Sequence, residues 1–185
     1  MKNRGFTLLE MVVVIGIGTI LVLFVLGILI SNNRFYANQS GENEAIFNTR
    51  IIADRIASYG RGAAAVLSSY IYNSSNYVSD SDTLVLQVPS IDASANIIGG
   101  AYDHVIITRD LSDTSKLQLY VDPDASSSRG ARGVLLTNKL DTMTFTYSST
   151  TPDISEKVDY LIKITMGGSS PASEYIEGSV TLRNK

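Results

Sequence analysis

Between Met11 and Ile30 the chain carries no charged side chain and one polar one, Thr19. Twenty helical residues span about 30 Å, the hydrocarbon thickness of a bilayer. As the buried helix of a soluble protein, this stretch would need comparably apolar surface around it, and the rest of the chain offers none. An ordinary secretory signal is also a poor match. Its apolar core is about 7–15 residues long and leads to a small-residue cleavage site, whereas SNNRFYANQS follows here, with Arg34 and Phe35 against cleavage. Lys2 and Arg4 favour retention of the N-terminus on the cytoplasmic side. The physics of the segment therefore predicts a single span, N-terminus inside, with the bulk of the chain outside.

Glu10 does not fit a plain anchor. A carboxylate beside hydrocarbon is costly and usually has an assigned partner. At a helix N-terminus it gains from the dipole and from unpaired N–H groups, so an N-terminal cap in the headgroup region is one reading. The other is a charge that pairs with a group from another subunit. RGFTLLEMVVVIGIG resembles the prepilin leader and helix start of the type IV pilin and type II secretion pseudopilin superfamily: a short basic leader, Gly5, Phe6, Thr7-Leu8-Leu9, Glu10, then an unbroken apolar helix. The resemblance implies cleavage after Gly5 by a prepilin peptidase and N-methylation of Phe6. It also implies that Glu10 meets a neighbour's N-terminal amine during assembly. Buried opposite charges find each other only when subunits stack in register, which gives such a pair its selectivity.

Past the span the pattern turns amphipathic. Phe35, Ala45, Ile46, Ile52, Ile56 and Tyr59 recur near helical spacing, Asp54 stands four residues from Arg50, and no proline occurs before Pro89. One helix from about Phe6 to Tyr59 is expected, roughly 80 Å long, with Gly16, Gly18, Gly27 and Gly41 as its soft or close-packing points. Gly60 and Gly62 weaken its end. RGAAAVLSSYIY reads as a short helical restart, and SSNYVSDSDT as a loop.

After Asp82 the period changes to two. TLVLQVP (83–89), YDHVIITR (102–109), KLQLYVD (116–122), GVLLTN (133–138), DTMTFTYSS (141–149), KVDYLIKITM (157–166) and GSVTLRN (178–184) read as strands. Turn-rich pieces separate them: SIDASANIIGGA, DLSDTS, DPDASSSRGAR and SSTTPDIS. The expected fold is α+β and pilin-like, a long N-terminal helix, half transmembrane and half amphipathic, packed on an antiparallel β-sheet head. Its parts are a leader at 1–5, a transmembrane and assembly helix at 6–30, its amphipathic continuation at 31–60 and a strand-rich extracytoplasmic head at 61–185. In layout the chain is most similar to J-type pseudopilins and PilW-like minor pilins.

Catalytic signals are absent from the sequence: there is no HExxH, no GxSxG elbow and no phosphate-binding glycine loop. No cysteine is present, so disulfides and thiolate metal sites are excluded. His104, the single histidine, falls in strand sequence and reads as a polar-face position. Asp122 and Asp124 are candidate calcium ligands, although Pro123-Asp124 makes an equally good turn; Asp110 and Asp113 stand the same way. Arg129 and Arg132, with Lys116 and Lys139, are a thin basis for DNA contact on a chain with 15 basic and 18 acidic residues. Tyr70, Tyr72 and Tyr77 either pack the sheet or contact surfaces and neighbours.

Three readings of function remain. One is a non-enzymatic minor pilin or pseudopilin of a type IV pilus, competence pilus or type II secretion filament. Its implied partners are the prepilin peptidase, other pilin or pseudopilin subunits, an inner-membrane assembly platform and, before assembly, the lipid bilayer. It would reside in the cytoplasmic membrane and then in a pilus or pseudopilus at the cell surface or in the envelope. The second is a single-pass, membrane-anchored extracytoplasmic binding protein that does not polymerise. The third is a membrane-tethered enzyme, which should show polar residues converging in a cleft with displaced pKa values; neither of these two explains why Glu10 follows GFTLL.

Overall fold

The computed structural model describes residues 7–166 and 172–182. One helix, α1, runs Leu8–Gly62 without interruption. Gly16, Gly18 and Gly27 do not break it, and an added Cβ at any of the three would meet nothing. The chain divides into two compact units, residues 1–40 and 41–185.

From Met11 to Ile30, within the first unit, α1 is apolar on all sides. Every large apolar side chain from Leu8 to Ile30 is at least 46% exposed, so nothing among the described residues covers it. Thr19 satisfies its hydroxyl internally by donating to the Ile15 carbonyl at 2.8 Å. Phe35, counted above with the apolar stripe, is also exposed: the helix enters its protein core only beyond Gly41.

The second unit is built where α1 becomes amphipathic. Ala45, Thr49, Ile52, Ala53, Ile56 and Gly60 are buried. Their separations of three and four residues place them on one helix face. That face packs on antiparallel sheet, so the architecture is α+β, with a long helix against antiparallel strands. The expected Arg50–Asp54 pair is not formed, since none of the ion pairs involves either residue. An exposed pair of this kind gains too little to hold two long side chains in one geometry.

Among the described residues ten strands follow: β1 (Ala65–Val66), β2 (Ser69–Tyr72), β3 (Ser75–Val78), β4 (Thr83–Ile91), β5 (Ile97–Arg109), β6 (Leu117–Asp122), β7 (Arg132–Thr137), β8 (Leu140–Tyr147), β9 (Lys157–Met166) and β10 (Ala172–Thr181). They form a five-stranded sheet in the order β1-β4-β5-β6-β7, a three-stranded sheet β10-β9-β8 and a hairpin β2-β3. Alternation explains the core. Leu84, Leu86, Val105, Ile107, Leu117, Leu119 and Val121 point inward from the first sheet, and Met143, Phe145, Val158, Ile162 and Ile164 from the second.

The largest departure from expectation lies between Gly62 and Thr83. No helix restarts at RGAAAVLSSYIY, which forms β1 and β2, and SSNYVSDSDT is not all loop, because β3 lies inside it. Asn73 and Ser74 both adopt positive φ, 48° and 65°, and Tyr72 pairs with Ser75. This is a two-residue turn of the type whose twist suits a hairpin. Ser74 stands where glycine usually announces such a turn. SIDASANIIGGA is likewise shorter as a turn than expected, since β5 begins at Ile97. In the same way β10 starts at Ala172, ahead of the expected 178, and ends at Thr181.

The β2-β3 hairpin lies on the face of the first sheet that points away from α1. Val85 and Ile106 belong to that face by strand parity, yet both are fully buried. Tyr70 stacks on His104 with centroids 4.0 Å apart and planes 13° from parallel. Tyr72 and Tyr77 reach Tyr120 at 5.4 and 5.9 Å. Three tyrosines thus attach one face of the hairpin to strands β5 and β6, leaving Ile71 and Val78 outward.

Candidate functional site

At the start of α1 the side chain of Thr7 and that of Glu10 hold each other. The Thr7 backbone N–H donates to Glu10 Oε2 at 2.9 Å and its hydroxyl to the same oxygen at 3.1 Å. The Glu10 N–H in turn donates to Thr7 Oγ1 at 3.3 Å. This is a capping box, in which a threonine at the cap and a glutamate three residues on satisfy two orphan N–H donors reciprocally. The pattern Thr-x-x-Glu before an apolar run was readable as such, and it supplies Glu10 with a partner inside its own chain. The remaining motif positions, Lys2, Arg4, Gly5 and Phe6, lie outside the described residues.

In the head, the candidate calcium ligands are occupied by protein donors. Asp122, at the end of β6, accepts the Tyr70 hydroxyl at 2.7 Å. Asp124 Oδ1 takes the Ser126 N–H and hydroxyl at 2.8 and 2.6 Å. Asp110 does the same with Ser112. Asp113 binds Ser115 and pairs with Lys116 at 2.9 Å; the Ser115 hydroxyl and the lysine together draw its pKa down to about 2. Asp110, Asp113 and Asp124 are turn-forming aspartates, and the described residues contain no group of three or more potential ligands placed to hold a metal ion.

His104 sits on the face of β5 that points away from α1, which is not the open polar face expected, because the hairpin covers it and Tyr70 stacks on the imidazole. Burial pushes its pKa down against the pull of Asp122, Asp103 and Asp124. Tyr70 is pushed up to about 12, first by burial and then by its bond to Asp122.

Arg129 is not the solvated loop charge its setting in DPDASSSRGAR suggested. Its Nη1 reaches Asp103 Oδ2 at 2.6 Å and the Pro89 carbonyl at 2.7 Å. The Asp103 side chain is completely buried. Its Oδ1 accepts the Ser90 hydroxyl at 2.7 Å and the Asp124 N–H at 2.9 Å, and its Oδ2 also accepts the Ser127 hydroxyl at 2.9 Å. Burial alone raises the pKa of this carboxyl, but Ser90, Asp124, Ser127 and Arg129 outweigh it and hold the group below the usual range. The network pins the 123–131 loop to β4 and β5. Sequence gave little sign of it, because Asp103 precedes His104 in an otherwise ordinary strand. Arg132 donates to the Tyr59 hydroxyl.

The N-terminal segment is a capped helix with a carboxylate at its start, whose apolar surface no described residue covers. Residues 1–30 match the family model described as the prokaryotic N-terminal methylation motif. No curated protein and no solved structure matches the chain. The chain carries an N-terminal prepilin-type methylation motif, consistent with the type IV pilin and pseudopilin superfamily.

Proposed function

We propose that this chain is a non-enzymatic minor pilin or pseudopilin, cut after Gly5, methylated at Phe6 and built into a filament through its N-terminal helix. The observation that carries this reading is the stretch of α1 from Leu8 to Ile30, whose large apolar side chains are all exposed, within the matched methylation motif. A bilayer covers such a surface before assembly, and neighbouring helices cover it afterwards. Glu10 is the residue we assign to registration: when the Phe6 amine of a neighbouring subunit replaces Thr7 as its partner, a charge pair replaces a local cap. The peptidase, sibling subunits and an inner-membrane platform are the partners this role requires. Type IV pilus, competence pilus and type II secretion filament all accommodate it.

One observation favours the second reading, a single-span binding protein that never polymerises. The Thr7–Glu10 box already satisfies the carboxylate without any partner.

The chain has no cysteine, so single cysteines placed along residues 11–30 report neighbours without background. Oxidation in the native membrane should give a ladder of cross-linked oligomers, and Glu10→Leu should abolish it while the monomer persists. Monomer alone at every position would instead support the non-polymerising anchor.

A further inference from the structure

Beside the β2-β3 hairpin the head contains a cleft of about 450 Å³, bounded by β3, the end of β5, the 110–116 loop and β6. That volume falls within the roughly 300–1,000 Å³ of small-molecule sites. Two half-buried rings, Tyr77 and Tyr120, form part of its lining. A hydrogen-bond chain organises the wall beside them: the Tyr120 hydroxyl donates to the Gln118 side-chain oxygen, and the Gln118 amide donates to Asp110 Oδ2.

The opposite lip is equally fixed. Asp110 and Asp113 hold the loop through bonds to Ser112 and Ser115, and at its tip Leu111 is 99% exposed. A lone exposed leucine is ordinary on a protein surface. Here it is held at the mouth of a concave, tyrosine-lined site.

The lining chemistry selects a ligand class. Asp80 and Asp110 are its carboxylates, and Arg109 is its one cation. That guanidinium is committed to the Thr114 and Asp141 carbonyls at 2.7 and 2.6 Å and faces Asp82 at 3.7 Å. No cation is therefore free to hold a phosphate or a nucleic acid backbone. Hydroxyls and amides, among them Ser75, Asn76 and Thr108, are too many for a lipid chain, whose burial would strip their water without replacing it. A pyranose ring has both features the cleft asks for: a face of polarised C–H groups suited to the electron-rich face of tyrosine, and a rim of hydroxyls for amides and carboxylates.

We infer that this cleft is a binding site for a neutral saccharide, with Tyr77 and Tyr120 as its stacking platform and Gln118 and Asp110 reading the hydroxyls. The site belongs to the head and does not depend on whether the chain polymerises.

The test uses the full chain in a detergent without a sugar headgroup, titrated with cellobiose, maltose, lactose and N,N′-diacetylchitobiose while tyrosine fluorescence and amide NMR shifts are followed. At least one sugar should give a saturable response with a millimolar or tighter Kd, with shifts centred on Tyr77, Gln118 and Tyr120. Tyr120→Ala should weaken it at least tenfold. Leu111→Ser alters a side chain that packs on nothing, so it tests the cleft without risk to the fold, and it should weaken binding severalfold. Tyr175→Ala, on exposed β10, should leave it unchanged. No saturable response up to about 20 mM of any of the four overturns the inference, as does a response indifferent to both cleft variants. A cleft that answers only to a lysine-rich peptide, through Asp80 and Asp110, overturns it too.

Discussion

Removing the Asp103 carboxylate should destabilise the head more than any exposed ion pair could. The side chain is fully buried and accepts four hydrogen bonds, two at each oxygen. In Asp103→Asn the amide oxygen can keep Ser90 and the Asp124 N–H, which turns the NH2 group toward Ser127 and Arg129. The serine hydroxyl can rotate to accept from it, but a guanidinium has no acceptor. Arg129, 24% exposed, is then left mostly buried without its counter-charge. Breaking a buried pair from one side costs about 3–5 kcal/mol. Since Arg129 keeps the Pro89 carbonyl and some water, about 2–3 kcal/mol is expected for Asp103→Asn and about 3–4 for Asp103→Ala. With a urea slope of about 2 kcal/mol/M, the midpoint should fall by about 1–2 M.

Urea unfolding of the detergent-solubilised chain, followed by near-ultraviolet circular dichroism of its tyrosines, reads this directly. Asp103→Ala combined with Arg129→Ala should cost less than the two singles added, by at least about 1.5 kcal/mol. The pH dependence has a definite sign. A carboxyl held below its unfolded pKa contributes fully above about pH 4, and the contribution is lost as pH falls through the folded value. Asp103→Asn should therefore flatten the acid limb of the stability curve. A midpoint shift under about 0.3 M would refute the account of a high-stakes buried network.

Three further outcomes follow from close contacts and titrations. Gly60→Ala would normally gain about 1 kcal/mol in a helix, but its Cβ would lie 2.4 Å from Val180 Cγ1; a net loss of about 1–2 kcal/mol is expected, relieved by Val180→Ala in the same urea experiment. Tyr70→Phe keeps the stack on His104 but gives up the bond to Asp122, at about 1 kcal/mol. In an alkaline absorbance titration it should delete one phenol ionising near pH 12, and wild-type stability from that group should be lost as pH rises from about 10 toward 12. Ile52→Ala, at a fully buried helix position, should cost about 2–5 kcal/mol.

Elements whose chemistry repeats with a clean period were legible. The apolar run, the amphipathic stretch through Ala45, Ile52 and Ile56, and the alternation in Leu117, Leu119 and Val121 each point to one structure. The β2-β3 hairpin was not, because Ser74 takes a positive φ that glycine would have advertised and because Ala63 to Val66 suit a helix until β4 offers a ladder. Tertiary pairing overrode local propensity there. At the N-terminus the glutamate stood out by its cost beside hydrocarbon, while its local partner Thr7 needed only the three-residue spacing. The Asp103 network was hidden for a different reason: its members at 90, 103, 124, 127 and 129 come from three separate stretches, and no short window contains them.

The central claim is that this chain enters the prepilin pathway, and the N-terminal peptide of the membrane-bound product tests it most directly. Co-expressed with a prepilin peptidase that cleaves a control substrate, the chain should lose Met1 to Gly5 and begin with N-methylated Phe6, visible in the intact mass and the first peptide. A product that retains Met1 to Gly5 beside a fully cleaved control would contradict the account and leave Glu10 as the cap of an ordinary membrane anchor.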